Sequence, residues 1–110
     1  MSEVGTAPEW IRAIVDLSTN STTVCAYPCI FRGVSVITAL SGQACPIKDD
    51  TTQIATLPAS LGVGSWAEGG DQTVLTSLVV DPDDSATGTI NVIYKPINQG
   101  QAGSGAGLPA

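Results

Sequence analysis

Residues 29–40, CIFRGVSVITAL, limit what this chain can fold into more than any other stretch. Read as a strand, they place Arg32, Val34, Val36, Thr38 and Leu40 on one face and Phe31, Gly33, Ser35, Ile37 and Ala39 on the other. Both faces are largely apolar or small, so the strand needs cover on both sides and belongs at the centre of a sheet. Weaker segments of the same period flank it. Trp10–Leu17 (WIRAIVDL) suits a strand with Ile11, Ala13 and Val15 on one face, although Pro8 and Glu9 could also open a helix. After the turn residues STNS, Thr22–Tyr27 resumes a strand that Pro28 ends. Ala44–Lys48 and Gln53–Leu57 read as a hairpin across the polar corner Lys48–Thr51, with Pro46 at an edge or at a strand start.

In the second half, residues 59–63 read as loop, and GSWAEGG (64–70) as a Gly-rich loop carrying Trp66. Gln72–Val80 reads as one strand with Val74, Thr76, Leu78 and Val80 alternating, closed by Asp81-Pro82-Asp83-Asp84. Gly88–Lys95 is the last strand, with Ile90, Val92 and Tyr94 inward and Asn91, Ile93 and Lys95 outward, and Pro96 stops it. Six or seven short strands and no convincing long helix predict an all-β domain over residues 10–96. The expected form is an antiparallel β-sandwich, jelly-roll or Ig-like. Residues 1–9 and 97–110 are expected to be extended N- and C-terminal arms. INQGQAGSGAGLPA, from Ile97 to the end, has four glycines and no charge, too little apolar surface to offset its ordering entropy. A neighbouring subunit is expected to hold such an arm, which makes Ile97 and Leu108, with Trp10 and Trp66, the candidate partner contacts.

Composition removes several function classes. The chain has 110 residues, enough for one domain. Only 13% of them are charged, against roughly 25% in an average protein, so uncharged Thr, Ser, Gly and Ala must cover much of the surface. Net charge is −6, with Arg12, Arg32, Lys48 and Lys95 the only cations, which argues against nucleic acid as a partner. There is no histidine, so Ser/His and Cys/His activation and most zinc or iron sites are excluded. Glu68 and Asp71, beside Trp66, form the least poor acid pair, and solvating a loop is their plainer role. Asp81, Asp83 and Asp84 could attract calcium but lack the EF-hand spacing, and a Pro-Asp corner explains them. Lys48 and Lys95 occupy ordinary strand-end positions.

Cys25, Cys29 and Cys45 are an odd number, so at least one thiol is unpaired. Cys25 and Cys29 could close a small disulfide loop or supply two metal ligands, but small buried hydrophobes are the main reading. No phosphate-binding glycine motif occurs. The expectation is therefore no enzyme, no cofactor and no metal. No run of eighteen apolar residues occurs and MSEVGTAPEW lacks a basic n-region, so neither a membrane span nor a secretory leader is expected. Trp66 is open to two roles, closing the end of a sandwich or stacking on a sugar, with closure favoured.

Arg32-Gly33-Val34-Ser35-Val36, Cys45-Pro46-Ile47-Lys48-Asp49, Ser77-Leu78-Val79-Val80-Asp81 and Thr87-Gly88-Thr89-Ile90-Asn91-Val92-Ile93-Tyr94 together resemble small virion proteins of tailed bacteriophages. In those chains a strand opens on a basic residue and Gly-Val or Gly-Leu, a short Asp-containing hairpin follows, and a G-x-I/V-x-V-x-Y strand closes the domain. The resemblance covers residues 22–96, and its motifs are structural. The three cysteines and the Trp10 segment depart from it. It implies a capsid decoration (cement) protein or a minor head or fibre protein, with no catalytic residues. The partners would be the major capsid protein and copies of the chain itself, as a homotrimer on a lattice three-fold position. The chain would reside in the virion after synthesis in the host cytoplasm. The alternative is a receptor- or glycan-binding module of a tail or head fibre.

Overall fold

The computed structural model describes residues 10–97. These form eight strands and no helix: β1 (Ile11–Asp16), β2 (Thr22–Cys25), β3 (Cys29–Thr38), β4 (Cys45–Asp49), β5 (Thr52–Leu57), β6 (Trp66–Val74), β7 (Leu78–Val80) and β8 (Thr89–Pro96). The all-β class is as expected, with eight strands in place of six or seven. Both expected arms fall almost wholly on residues outside those described, and Leu108 with them.

Pairing is antiparallel throughout. β1 pairs with β8, β2 with β7, β3 with β6 and β4 with β5. This is the pattern of one long hairpin whose tip is the two-residue turn Asp50-Thr51. That turn is the corner expected between the strands around Ile47 and Ile54. Two more ladders, β3 with β8 and β4 with β7, gather the ribbon into two four-stranded sheets. The first sheet runs β1-β8-β3-β6 and the second β2-β7-β4-β5. β3 is interior, as its two apolar faces require. Pro46 is the second residue of an interior strand, at the strand-start position that tolerates a missing amide donor.

Val15, Phe31, Val34, Val36, Val74, Ile90 and Val92 of the first sheet and Cys25, Cys45, Ile47, Leu57, Leu78 and Val80 of the second bury together in one core. β8 faces as expected, with Ile90 and Val92 buried and Tyr94 packed partly against them.

Three expectations need correction. Gln72–Val80 is two strands in different sheets, because the chain turns at Leu75–Ser77. The carboxylate of Asp49 makes that corner by accepting from the amides of Leu75 (2.8 Å), Thr76 (2.9 Å) and Ser77 (3.3 Å). Second, residues 66–70 belong to β6 and are not loop. Third, β3 does not alternate evenly. Phe31 faces Tyr94 and Gly33 faces Ile93, so Arg32 is an extra residue, and inward positions change from Cys29 and Phe31 to Val34 and Val36. β6 is bulged at the same level, since Phe31 faces Gln72 while Gly33 faces Glu68. Glycines permit this close approach. A Cβ on Gly33 would lie 2.5 Å from the Ala67 carbonyl oxygen and 2.5 Å from Cζ2 of Trp66, and one on Gly69 would lie 2.7 Å from Phe31 and 2.8 Å from the Arg32 backbone.

Candidate functional site

The bulge turns Arg32 out of the core and onto the outer face of the first sheet, where most of the chain's distinctive side chains gather. Arg32 lies 3.7 Å from the centroid of the Trp10 ring, and the Lys95 ammonium lies 5.0 Å from the same centroid. The guanidinium also grips Asp71 in a two-pronged pair, Nε to Oδ1 at 3.0 Å and Nη2 to Oδ2 at 3.1 Å. The hydrogen bond from Arg32 holds the Asp71 carboxyl below its ordinary range, and the same bond raises Arg32 above its own. Trp66 stands at the start of β6 with its ring across Gly33. Its indole N–H donates to Glu68 Oε1 at 2.9 Å, while Glu68 Oε2 accepts from the Gly70 amide at 2.9 Å. Those two bonds, the Trp66 one first, lower the Glu68 pKa.

A row of paired residues crosses all four strands of this face: Ile14, Asn91, Ser35 and Trp66. Asn91 Oδ1 is buried within it and has no hydrogen-bond partner among the described residues.

Of the candidate contacts, Trp10 and Trp66 are therefore both on one sheet face, connected through the Arg32-Gly33 bulge. Ile97 sits beyond the end of β8, where its amide donates to the Pro28 carbonyl at 3.1 Å. Leu108 lies outside the described residues. Trp66 does not close the core. It is 46% exposed and its neighbour Ala67 is the residue that packs inward. Trp66→Ala is accordingly expected to lower stability by only about 1 kcal/mol, far less than removal of a core aromatic. Urea denaturation measures this, and a loss of about 3 kcal/mol or more would show that the ring carries core packing.

Arg32 is the member of this cluster that strand alternation alone misplaces, since Lys95 falls on the outward face of β8 as expected. The signal that could have found Arg32 is Gly33, a glycine inside a strand, with Gly69 and Gly70 directly after its partner Glu68.

The other candidates have structural partners. Lys48 Nζ meets Asp81 Oδ2 at 2.6 Å, and Asp83 Oδ1 accepts from the Ser85 amide and hydroxyl at 2.9 and 2.8 Å, so this acidic stretch is a turn. Among the described residues no three His, Cys, Asp or Glu side chains gather as a metal site. The three cysteines are free and buried. Burial, with the nearby Cys25, pushes the Cys29 thiol up to about 12, and burial, with Asp81, pushes Cys45 up to about 11. Protonated buried thiols are poor nucleophiles. A thiol reagent at pH 8 is expected to label the protein only in denaturant, and rapid labelling of native protein would contradict their burial.

What remains is the outer face of the first sheet, with two Trp rings, cations over one of them, and acids committed to local partners. No family model, no curated protein and no solved structure matches the chain.

Proposed function

We propose that this chain is a non-enzymatic structural protein of a tailed-phage virion, which binds the major capsid lattice and stabilises it as a decoration, or cement, protein. The observation that carries this reading is the strand pairing. A ribbon of strands 1–4 against 8–5, wound into sheets β1-β8-β3-β6 and β2-β7-β4-β5, is the connectivity of an eight-stranded jelly-roll sandwich. Viral capsid and lectin domains are built this way. Because a fold hosts many functions, the resemblance of residues 22–96 to phage virion proteins and the outer face of the first sheet supply the rest. Trp10 and Trp66 would dock on the shell, and the two expected arms, residues 1–9 and 97–110, would tie neighbouring subunits together. Contacts of low charge density, repeated over a lattice, would resist internal DNA pressure with little dependence on salt.

Particles lacking the chain are expected to assemble and package, yet to lose DNA sooner than wild type on heating or osmotic shock. Adding the intact protein back at moderate salt should restore resistance. Depleted particles as robust as wild type would overturn the decoration reading.

The second reading, a receptor- or glycan-binding module of a tail or head fibre, is favoured by one observation: Trp66 presents its ring outward with a carboxylate fixed at its edge. Depleted particles that stay robust but no longer adsorb to cells would establish it.

A further inference from the structure

We infer that β1 is a self-association edge, pairing antiparallel with β1 of a second copy about a two-fold axis through Ile14. Four strands border the two sheets: β1, β6, β2 and β5. The ladders of β6, β2 and β5 each carry a register shift, the kind of irregularity that blunts an edge against further pairing. The ladder of β1 with β8 carries none, and IRAIVD contains neither Gly nor Pro.

The phase of its backbone follows from one bond. The Leu17 amide donates to the Gly88 carbonyl of the segment leading into β8 at 2.9 Å, so odd-numbered residues direct their amides and carbonyls inward to that neighbour. Arg12, Ile14 and Asp16 therefore direct theirs to the open edge. The Asp16 carbonyl is already taken by the amide (3.2 Å) and hydroxyl (2.7 Å) of Thr19. A two-fold pairing through Ile14 then forms four main-chain bonds: Ile14 with its own copy in both directions, and each Asp16 amide to the Arg12 carbonyl opposite.

The side chains select a second copy of this chain as the occupant. On the outer face, Ile14, at 73% the most exposed large hydrophobic residue among those described, meets its own copy. Arg12 stands opposite the other copy's Asp16, twice over. Within one strand these two residues are about 13 Å apart along the backbone, so their charges complement each other across the axis and not within a subunit. Asp16 is free to take part, because Ser18 engages only its Oδ1. Such an isologous contact closes at two. It makes a pair, in place of the three-fold state expected from lattice symmetry, the unit formed in solution. The pairing follows from the sheet edge alone and does not require the phage reading.

Sedimentation of the full chain over a range of concentrations tests it. Wild type is expected to move from monomer to dimer. Arg12→Asp and Asp16→Arg, both at exposed positions, should each stay folded by circular dichroism and weaken dimerisation about tenfold or more, since each sets like charges face to face. Mixing the two variants should restore a dimer, because the strand that then carries two aspartates faces the strand that carries two arginines, and both cross-axis pairs are again of opposite charge.

The crosslink Ile14→Cys supplies a second readout, since paired residues of this type lie about 5.5 Å apart at Cα, within disulfide reach. Oxidation should give a covalent dimer from Ile14→Cys and none from Leu75→Cys, an equally exposed site away from β1. A wild-type chain that stays monomeric throughout, single reversals that dimerise as well as wild type, or a mixture that fails to recover would each overturn the assignment.

Discussion

Val36→Asp is expected to abolish cooperative folding at neutral pH. Val36 is buried in the interior strand β3, and its backbone is fully engaged, the amide donating to the Ser65 carbonyl and the carbonyl accepting from the Gly64 amide, each at 2.9 Å. The new carboxylate would have neither water nor a donor. Burying an unpaired charge costs several kcal/mol or forces its protonation, against a total stability of about 5–15 kcal/mol for a domain. Far-ultraviolet circular dichroism in urea checks this. A wild-type midpoint would show that the two sheets do not close over this position.

Asp49→Ala is expected to cost about 2–3 kcal/mol, because three amides at the Leu75–Ser77 corner lose an ionised acceptor. That corner carries the chain from one sheet to the other, so its loss acts on both. The pH dependence has a definite sign. Burial raises the Asp49 pKa, but the bonds from Leu75, Thr76 and Ser77 outweigh it, and the net shift is downward. A carboxyl lowered in the folded state contributes stability that is fully present above its unfolded pKa of about 3.9 and is lost as pH falls through the folded value. The stability difference between wild type and Asp49→Ala should therefore be largest at pH 7 and shrink below pH 4. A difference that stays constant down to pH 2 would show that the charge of Asp49 has no part in the corner.

Most strands were legible because their side chains alternate where one face is buried and the other wet. β8 is the clearest case: Ile90 and Val92 inward, Asn91 and Ile93 outward, with Pro96 at its end. The hairpin between β4 and β5 was legible from its polar corner. The break between β6 and β7 was not, because Val74, Thr76, Leu78 and Val80 keep the period of a straight strand. The turn depends on Asp49, twenty-six residues earlier than Leu75, and no local pattern records that contact. The candidate site was half legible. Trp10 and Trp66 stand out as aromatic residues, but Arg32 joins them only because the bulge at Gly33 reverses the alternation that would have set it beside Val34. Trp66 itself was misplaced because the glycines around it read as loop, when they serve a bulged strand.

The copy number and position of the chain in purified particles test most directly whether it is, as proposed, a repeated component of a phage shell. Quantitative mass spectrometry of intact virions, combined with labelling of the chain for electron microscopy, gives both. The decoration reading predicts a copy number comparable with that of the major capsid protein and label distributed over the whole head. A few copies confined to one vertex or to the tail, or no copies in purified particles, would contradict it.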